Sequence, residues 1–134
     1  LASRMMFFAA YDGRVDDVKD CLSKGADINY YEEDVSSPAL HSAVAENHPS
    51  VVNLLLREGA DIELGYKRVV TPLFKAAEHG RKDMVEMLLC YNANREFTFF
   101  GRSPAQVALD NGHTEVYQML LGEVEINCVD GDLG

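Results

Sequence analysis

The chain repeats itself, and that recurrence limits its fold more than any other feature. Ala9 and Ala43 lie 34 residues apart, as do Val18 and Val52, Leu22 and Leu56, and Gly25 and Gly59. The next step is 33, taking Ala43 to Ala76, Val52 to Val85 and Leu56 to Leu89. The third is 32, taking Thr71-Pro72 to Ser103-Pro104, Gly80 to Gly112 and Leu88-Leu89 to Leu120-Leu121. Self-similarity at this spacing indicates an array of one supersecondary unit, each copy burying its apolar face against its neighbours.

The clearest copy spans residues 71–94 and reads as two short helices with turns around them. Thr71 is an N-cap whose hydroxyl can accept from a first-turn amide. Pro72 follows at the first helical position, where its missing N–H costs nothing. Leu73, Ala76 and Ala77 form a small-residue stripe that allows close approach, and Gly80 supplies a left-handed stop. The second helix carries Met84, Val85, Met87, Leu88 and Leu89, which demands burial on two sides.

Thr71-Pro72-Leu73 resembles the Thr-Pro-Leu-His opening of ankyrin repeats, and Gly25-Ala26-Asp27-Ile28-Asn29 and Gly59-Ala60-Asp61-Ile62 resemble that family's Gly-Ala-Asp segment. The likeness extends over residues 4 to 127. It implies an all-α repeat solenoid of helix-turn-helix units joined by β-hairpin-like loops, with units at 1–33, 34–65, 66–97 and 98–127 and a tail at 128–134. Ser37-Pro38-Ala39-Leu40-His41 opens the second unit with one extra residue, and His41 resembles the family histidine that ties neighbouring turns by hydrogen bonds. Departures are informative. Asn47 and Asn92 stand where glycine is usual, so both are expected at positive φ, which Asn tolerates best among non-glycine residues. Phe74 replaces the histidine of the third unit. At the start, Met5-Met6-Phe7-Phe8 cannot all face one neighbour, so part of this run covers an end of the stack. At the other end, Val124-Glu125-Ile126-Asn127 reads as an inter-unit turn and Asp130-Gly131-Asp132 as the opening of a further hairpin, so the chain reads as a fragment of a longer protein.

The net charge of −10 is uneven: −7 over residues 1–63, +3 over 64–95 and −6 over 96–134. An acidic chain argues against unspecific nucleic-acid binding, which runs on phosphate neutralisation, and favours a partner with positive or mixed charge. No run of eighteen apolar residues offers a membrane span. Cys21, Cys90 and Cys128 are odd in number and lack metal-ligand spacing, so reduced thiols in an intracellular protein, cytoplasmic or nuclear, are expected. Cys21 and Cys90 read as small buried hydrophobes.

The search for catalytic groups finds none. His41, His48, His79 and His113 fall on different units, no His/Cys cluster has zinc spacing, and neither phosphate-binding loop motif occurs. No metal site, cofactor or catalytic residue is assigned. The expected function is non-catalytic binding of a protein or peptide. The family resemblance implies that partners lie on a concave face, at the hairpin tips and the exposed ends of each first helix. Carried over, the helix positions are Tyr11 and Asp12, Ala45 and Glu46, Glu78 and His79, and Asp110 and Asn111. The hairpin positions are Asp34, Val35 and Ser37, then Lys67, Arg68 and Val70, then Phe99, Phe100 and Arg102. The last two hairpins carry the residue types common at binding hot spots. In Phe97-Thr98-Phe99-Phe100, strand alternation cannot hide all three rings. Phe97 is expected inside, with Phe99 or Phe100 exposed. Two alternatives remain: a small anionic ligand held by Lys67, Arg68, Lys75 and Arg102, or a passive spacer.

Overall fold

The computed structural model describes residues 1–126 and 128; the inter-unit turn at Asn127 and the hairpin opening at 130–132 lie outside them. The elements are α1 (Ala2–Asp12), α2 (Val15–Ser23), β1 (Tyr31–Glu32), β2 (Ser37–Pro38), α3 (Ala39–Ala45), α4 (Pro49–Arg57), α5 (Pro72–Glu78), α6 (Lys82–Cys90), α7 (Pro104–Asp110) and α8 (Thr114–Leu121). The helices pair as α1–α2, α3–α4, α5–α6 and α7–α8. The first helices pack in a row, α1 on α3 on α5 on α7, and the second helices form a looser row behind them.

The recurring residues are those that make this packing possible. Ala9, Ala43, Ala76 and Ala108 are all buried in the first-helix row. Each also ends its helix by accepting, five residues on, from the backbone of Arg14 (2.8 Å), His48 (2.9 Å), Arg81 (3.0 Å) or His113 (2.8 Å). Such a six-to-one bond requires a left-handed residue just before its donor. Gly13, Asn47, Gly80 and Gly112 fill that place at φ 79°, 63°, 66° and 81°. Asn92 plays the same part after α6, at φ 66°. Both asparagines therefore adopt the conformation expected from the glycines they replace.

Why asparagine is allowed at one of these corners is visible in the next unit. A Cβ on Gly13 would run into the His48 ring, and one on Gly80 into the His113 ring. The residue following Asn47 in the same relation is Arg81, whose guanidinium reaches past it. Arg81 Nη1 donates to the carbonyls of Val44 (2.6 Å) and Ala45 (2.8 Å), while His48 Nε2 lies 3.0 Å from the Tyr11 carbonyl. These two side chains, at the heads of α4 and α6, cap the open carbonyl end of the preceding unit's first helix.

The Gly-Ala-Asp segments have their own hydrogen-bond logic. Asp27, Asp61 and Asn94 each accept from the amide two residues on, at 3.0, 3.0 and 2.9 Å. The residue at that second position then reaches the next unit: Asn29 Oδ1 accepts from Asp61 N (2.7 Å), and Glu63 Oε2 from Asn94 N (2.8 Å). Side chains thus satisfy loop amides that no helix or sheet supplies.

The changing repeat length is resolved at the hairpins. Equivalent cross-strand pairs are Glu32↔Ser37, Tyr66↔Val70 and Phe99↔Arg102, enclosing residues 33–36, 67–69 and 100–101. Loops of four, three and two residues match steps of 34, 33 and 32. Ser37-Pro38 accordingly does not superpose on Thr71-Pro72. Pro38 is extended (φ −86°, ψ 168°) and precedes α3 as its cap residue, whereas Thr71 Oγ1 accepts from Phe74 N at 3.2 Å. Proline suits both a first helical turn and a strand edge, so its presence alone did not set the register.

Two expectations need correction or detail. Cys90 is not a buried lone thiol: it is half-buried and disulfide-bonded to Cys128, closing a separation of 38 residues, while Cys21 stays free and buried. An odd count requires one unpaired cysteine and leaves the other two at liberty to pair. At the first unit, Met6 and Phe7 are fully buried, but Met5 is 57% exposed and Phe8 39%, with the Arg4 guanidinium 5.7 Å over the Phe8 ring.

Candidate functional site

Adjacent hairpins stand side by side, tied where Lys67 N donates to Ser36 O at 2.8 Å. Their tips are built from unusual backbone. Ser36, Lys67, Arg68 and Phe100 all have φ between 51° and 59° although none is glycine. Gly65 lets the second hairpin close, since a Cβ there would overlap the Val70 carbonyl. In the third, Phe99 and Arg102 exchange both backbone bonds (2.9 and 3.1 Å) around Phe100-Gly101, a two-residue turn with both φ positive. That turn matches strand twist but favours Asn-Gly or Gly-Gly. A phenylalanine pays strain to be there.

Around it the aromatic residues separate into a base and a tip. Phe74, at the family histidine position, is buried and meets Phe97 (6.0 Å) and Phe99 (5.6 Å) edge to face. Phe97 and Phe99 are half-buried by these contacts. Phe100 stands on Phe99 at 4.5 Å and remains 89% exposed. A ring left in water forgoes roughly 1.5–3 kcal/mol of burial, and its edge contact with Phe99 covers little of it.

The charged residues are mostly engaged within the chain. Arg102 holds Asp110, with Nε and Nη2 each 3.0 Å from Oδ2, and Gln106 Nε2 donates to the same carboxylate at 2.8 Å. Arg68 lies 3.9 Å over the Tyr31 ring and 3.9 Å from Glu33. Lys75 pairs with Glu78 at 3.2 Å. Lys67 sits 5.4 Å over Tyr66. The four cations considered for an anionic ligand are thus turned to different partners instead of converging. Asn111 Nδ2 donates to the Glu78 carbonyl at 3.0 Å, joining the third and fourth units. His79 is exposed, and partial burial with Lys75 and Arg81 nearby holds it below the usual imidazole value. Val70 is not at the surface: its carbonyl packs on Gly65 and it is only 8% exposed, while Val69 takes the outward place.

Sequence reasoning did not anticipate a recess of about 230 Å³ between the first three units, lined by Tyr11, Val35, His41, Ala45, Tyr66 and Lys75 among others. His41 is its buried floor. Nδ1 lies 3.4 Å from Ser37 Oγ, Nε2 has no hydrogen-bond partner, and the ring stacks on Tyr66 at 6.0 Å. The link to the next turn is this stacking, in place of the hydrogen bond the resemblance implied. Burial, then the charge of Lys75, lowers its pKa to about 4, so the imidazole is neutral near pH 7. Among the described residues, no group of three or more His, Cys, Asp or Glu side chains is gathered for a metal, and no helix is long and apolar enough to cross a membrane.

Stacked helix pairs, hairpin fingers and these recurring corners are accompanied by a direct family match. A profile of three ankyrin repeats covers residues 40–130, and a profile of many ankyrin repeats covers 6–56. The chain belongs to the ankyrin repeat family. Its curated relatives include a probable E3 ubiquitin-protein ligase, XBOS32, of Oryza sativa subsp. japonica, 31% identical over 119 residues, which are 86% of this chain and 24% of that protein. The human 2-5A-dependent ribonuclease is 37% identical over 78 residues, 58% of this chain and 10% of the ribonuclease. The putative ankyrin repeat protein FPV223 of fowlpox virus is 33% identical over 107 residues, 79% of this chain and 75% of that protein. This ankyrin chain spans a quarter or less of the ligases it matches. Ankyrin repeats are generally protein-interaction modules within larger proteins and are a non-catalytic fold, although enzymes carry them.

Proposed function

We propose that this ankyrin segment binds a protein or peptide partner across its hairpin tips and first-helix ends, with Phe100 as the apolar anchor. The observation carrying this is a phenylalanine ring 89% exposed on a left-handed tip residue at φ 51°. Phe99, seated on Phe74, acts as its support. Lys67, Val69 and Arg68 on the neighbouring tip form the rim, and the Arg102–Asp110 pair braces the hairpin from below. Rim charges tune association and orientation, whereas a desolvated ring supplies most of the affinity. Of the positions first considered, Glu78, His79 and Asn111 border the same face. No observation favours the small-anion reading. As a binding module within a larger protein, the segment would recruit a partner of mixed charge.

The test compares Phe100→Ser with Phe99→Ala. Phe100→Ser should leave the melting temperature unchanged and weaken partner binding at least thirtyfold, from the roughly 2 kcal/mol that defines a hot spot. Phe99→Ala should lower the melting temperature, because its ring packs on Phe74. Partners captured from lysate by the unaltered chain, and quantified against Phe100→Ser, supply the ligand for the affinity measurement. Equal capture by both chains refutes the proposal.

A further inference from the structure

We propose that the recess between the first three units is an anchor site for a single arginine side chain of the partner. This rests on the binding role just proposed and names the chemistry of a second contact, separate from the Phe100 tip.

Size excludes larger occupants. At about 230 Å³ the recess falls below the ~300–1,000 Å³ of sites that enclose drug-sized ligands. It has room for one long side chain entering from outside. Its walls are apolar and open: Val35, Tyr11 and Tyr66 are each about a third exposed, and Ala45 lies between the tyrosines' units. A methylene stem loses water against such walls while its polar head stays at the rim.

Charge selects the head. Four carboxylates lie at or beside the ends of the first helices: Asp12, Glu46, Glu78 and Asp110. Asp12 has Arg14 at 3.4 Å, Glu78 has Lys75 at 3.2 Å, and Asp110 has Arg102 at 3.0 Å. Glu46 has no such partner among the described residues, is exposed, and borders the recess. The other charged group at the rim, Lys75, is already held by Glu78, and the neutral His41 adds no positive charge to the floor. An entering carboxylate would face Glu46, with Lys75, itself paired to Glu78, as the counter-charge at the rim. An entering cation would neutralise Glu46, in a chain whose net charge of −10 already attracts cations.

Shape distinguishes arginine from lysine. Tyr66 already meets the His41 ring at 6.0 Å and Lys67 Nζ at 5.4 Å, whereas Tyr11 has the Phe7 ring at 6.4 Å and no cation near it among the described residues. Tyr11 is left as the ring for an incoming group. A guanidinium is planar and weakly hydrated, so it can lie on Tyr11 and still direct its N–H fork at the Glu46 carboxylate. A compact ammonium cannot do both.

The probe is a blocked tripeptide, acetyl-Gly-Arg-Gly-amide, titrated into the full chain by NMR, with lysine, glutamate and leucine analogues alongside. The arginine peptide should shift Tyr11 ring and Glu46 backbone signals and saturate in the millimolar range, as suits one side chain. Glu46→Gln, at an exposed position, should weaken it about three- to fivefold, the range of a partly solvated ion pair. Phe100→Ser should leave this titration unchanged. Equal or tighter binding of the leucine or glutamate peptide overturns the inference, as does indifference to Glu46→Gln or no saturable shift. The two claims fail separately: loss of the arginine site leaves the Phe100 capture result standing, and equal capture without Phe100 leaves the titration standing.

Discussion

The buried imidazole of His41 makes the stack acid-sensitive in a range where carboxylates have barely begun to titrate. In the unfolded chain the ring has the ordinary value of 6.5, and in the stack burial and Lys75 hold it at about 4. Above pH 6.5 it is neutral in both states and costs nothing. As pH falls through 6.5 the unfolded state takes up a proton that the folded state refuses. Stability therefore declines until the folded ring also titrates near 4, and no further loss from this group follows. Between about pH 7.5 and about pH 5 the linkage relation gives a loss of about 2 kcal/mol from this one residue. The assay is urea unfolding across that range for the unaltered chain and for His41→Gln, which keeps a polar side chain but cannot titrate. Carboxylates and His79, whose depressed value acts with the same sign, are present in both chains and cancel in the difference. The unaltered chain should lose about 2 kcal/mol more than the variant. A difference that stays constant from pH 7.5 to pH 5 would refute the buried, neutral assignment.

The corners and the bridge yield three further expectations. Gly112→Ala, with open space around the new Cβ, should cost about 1–2 kcal/mol for the left-handed backbone alone. Gly80→Ala should cost about 1–3 kcal/mol more through collision with the His113 ring, and His113→Ala should remove that excess; additive single effects in denaturant melts would contradict the contact. Cys128→Ser, or reduction of the chain, should destabilise it by up to about 4 kcal/mol, the chain-entropy value for a 38-residue closure. Identical unfolding curves with and without reductant would mean that Cys90 and Cys128 do not pair in solution.

Much of the helical frame was legible because equivalent positions use chemically similar residues. Glycine at two or three corners made the asparagine corners readable, and both have positive φ. Alternation required one of Phe99 and Phe100 to be exposed, but that it is Phe100 follows from its place in the two-residue turn, with Phe97 and Phe99 both half-buried. The features that escaped are those in which equivalent positions use different chemistry. His48 and Arg81 cap the preceding helix with an imidazole and a guanidinium, so identity matching could not reveal a shared task. Ser37-Pro38 mimicked a helix opening but occupied a strand. Val70 turned inward because the three-residue loop left Val69 at the turn. The recess over His41 is assembled from three units, and its residues are 64 positions apart at the extremes, Tyr11 to Lys75. Sequence distance of that kind is invisible until the stack is formed.

The hairpin loops of four, three and two residues imply a division of labour between a frame of fixed pitch and fingers of adjustable reach. Every difference in spacing between units is absorbed at a tip, so the helix corners, capping side chains and loop ladders keep their registration. A residue inserted into or removed from 33–36, 67–69 or 100–101 changes how far one finger extends, leaving the adjacent helix pairs in step. Recognition can thus be retuned one finger at a time, by loop length as much as by residue identity, without the frame having to be solved again.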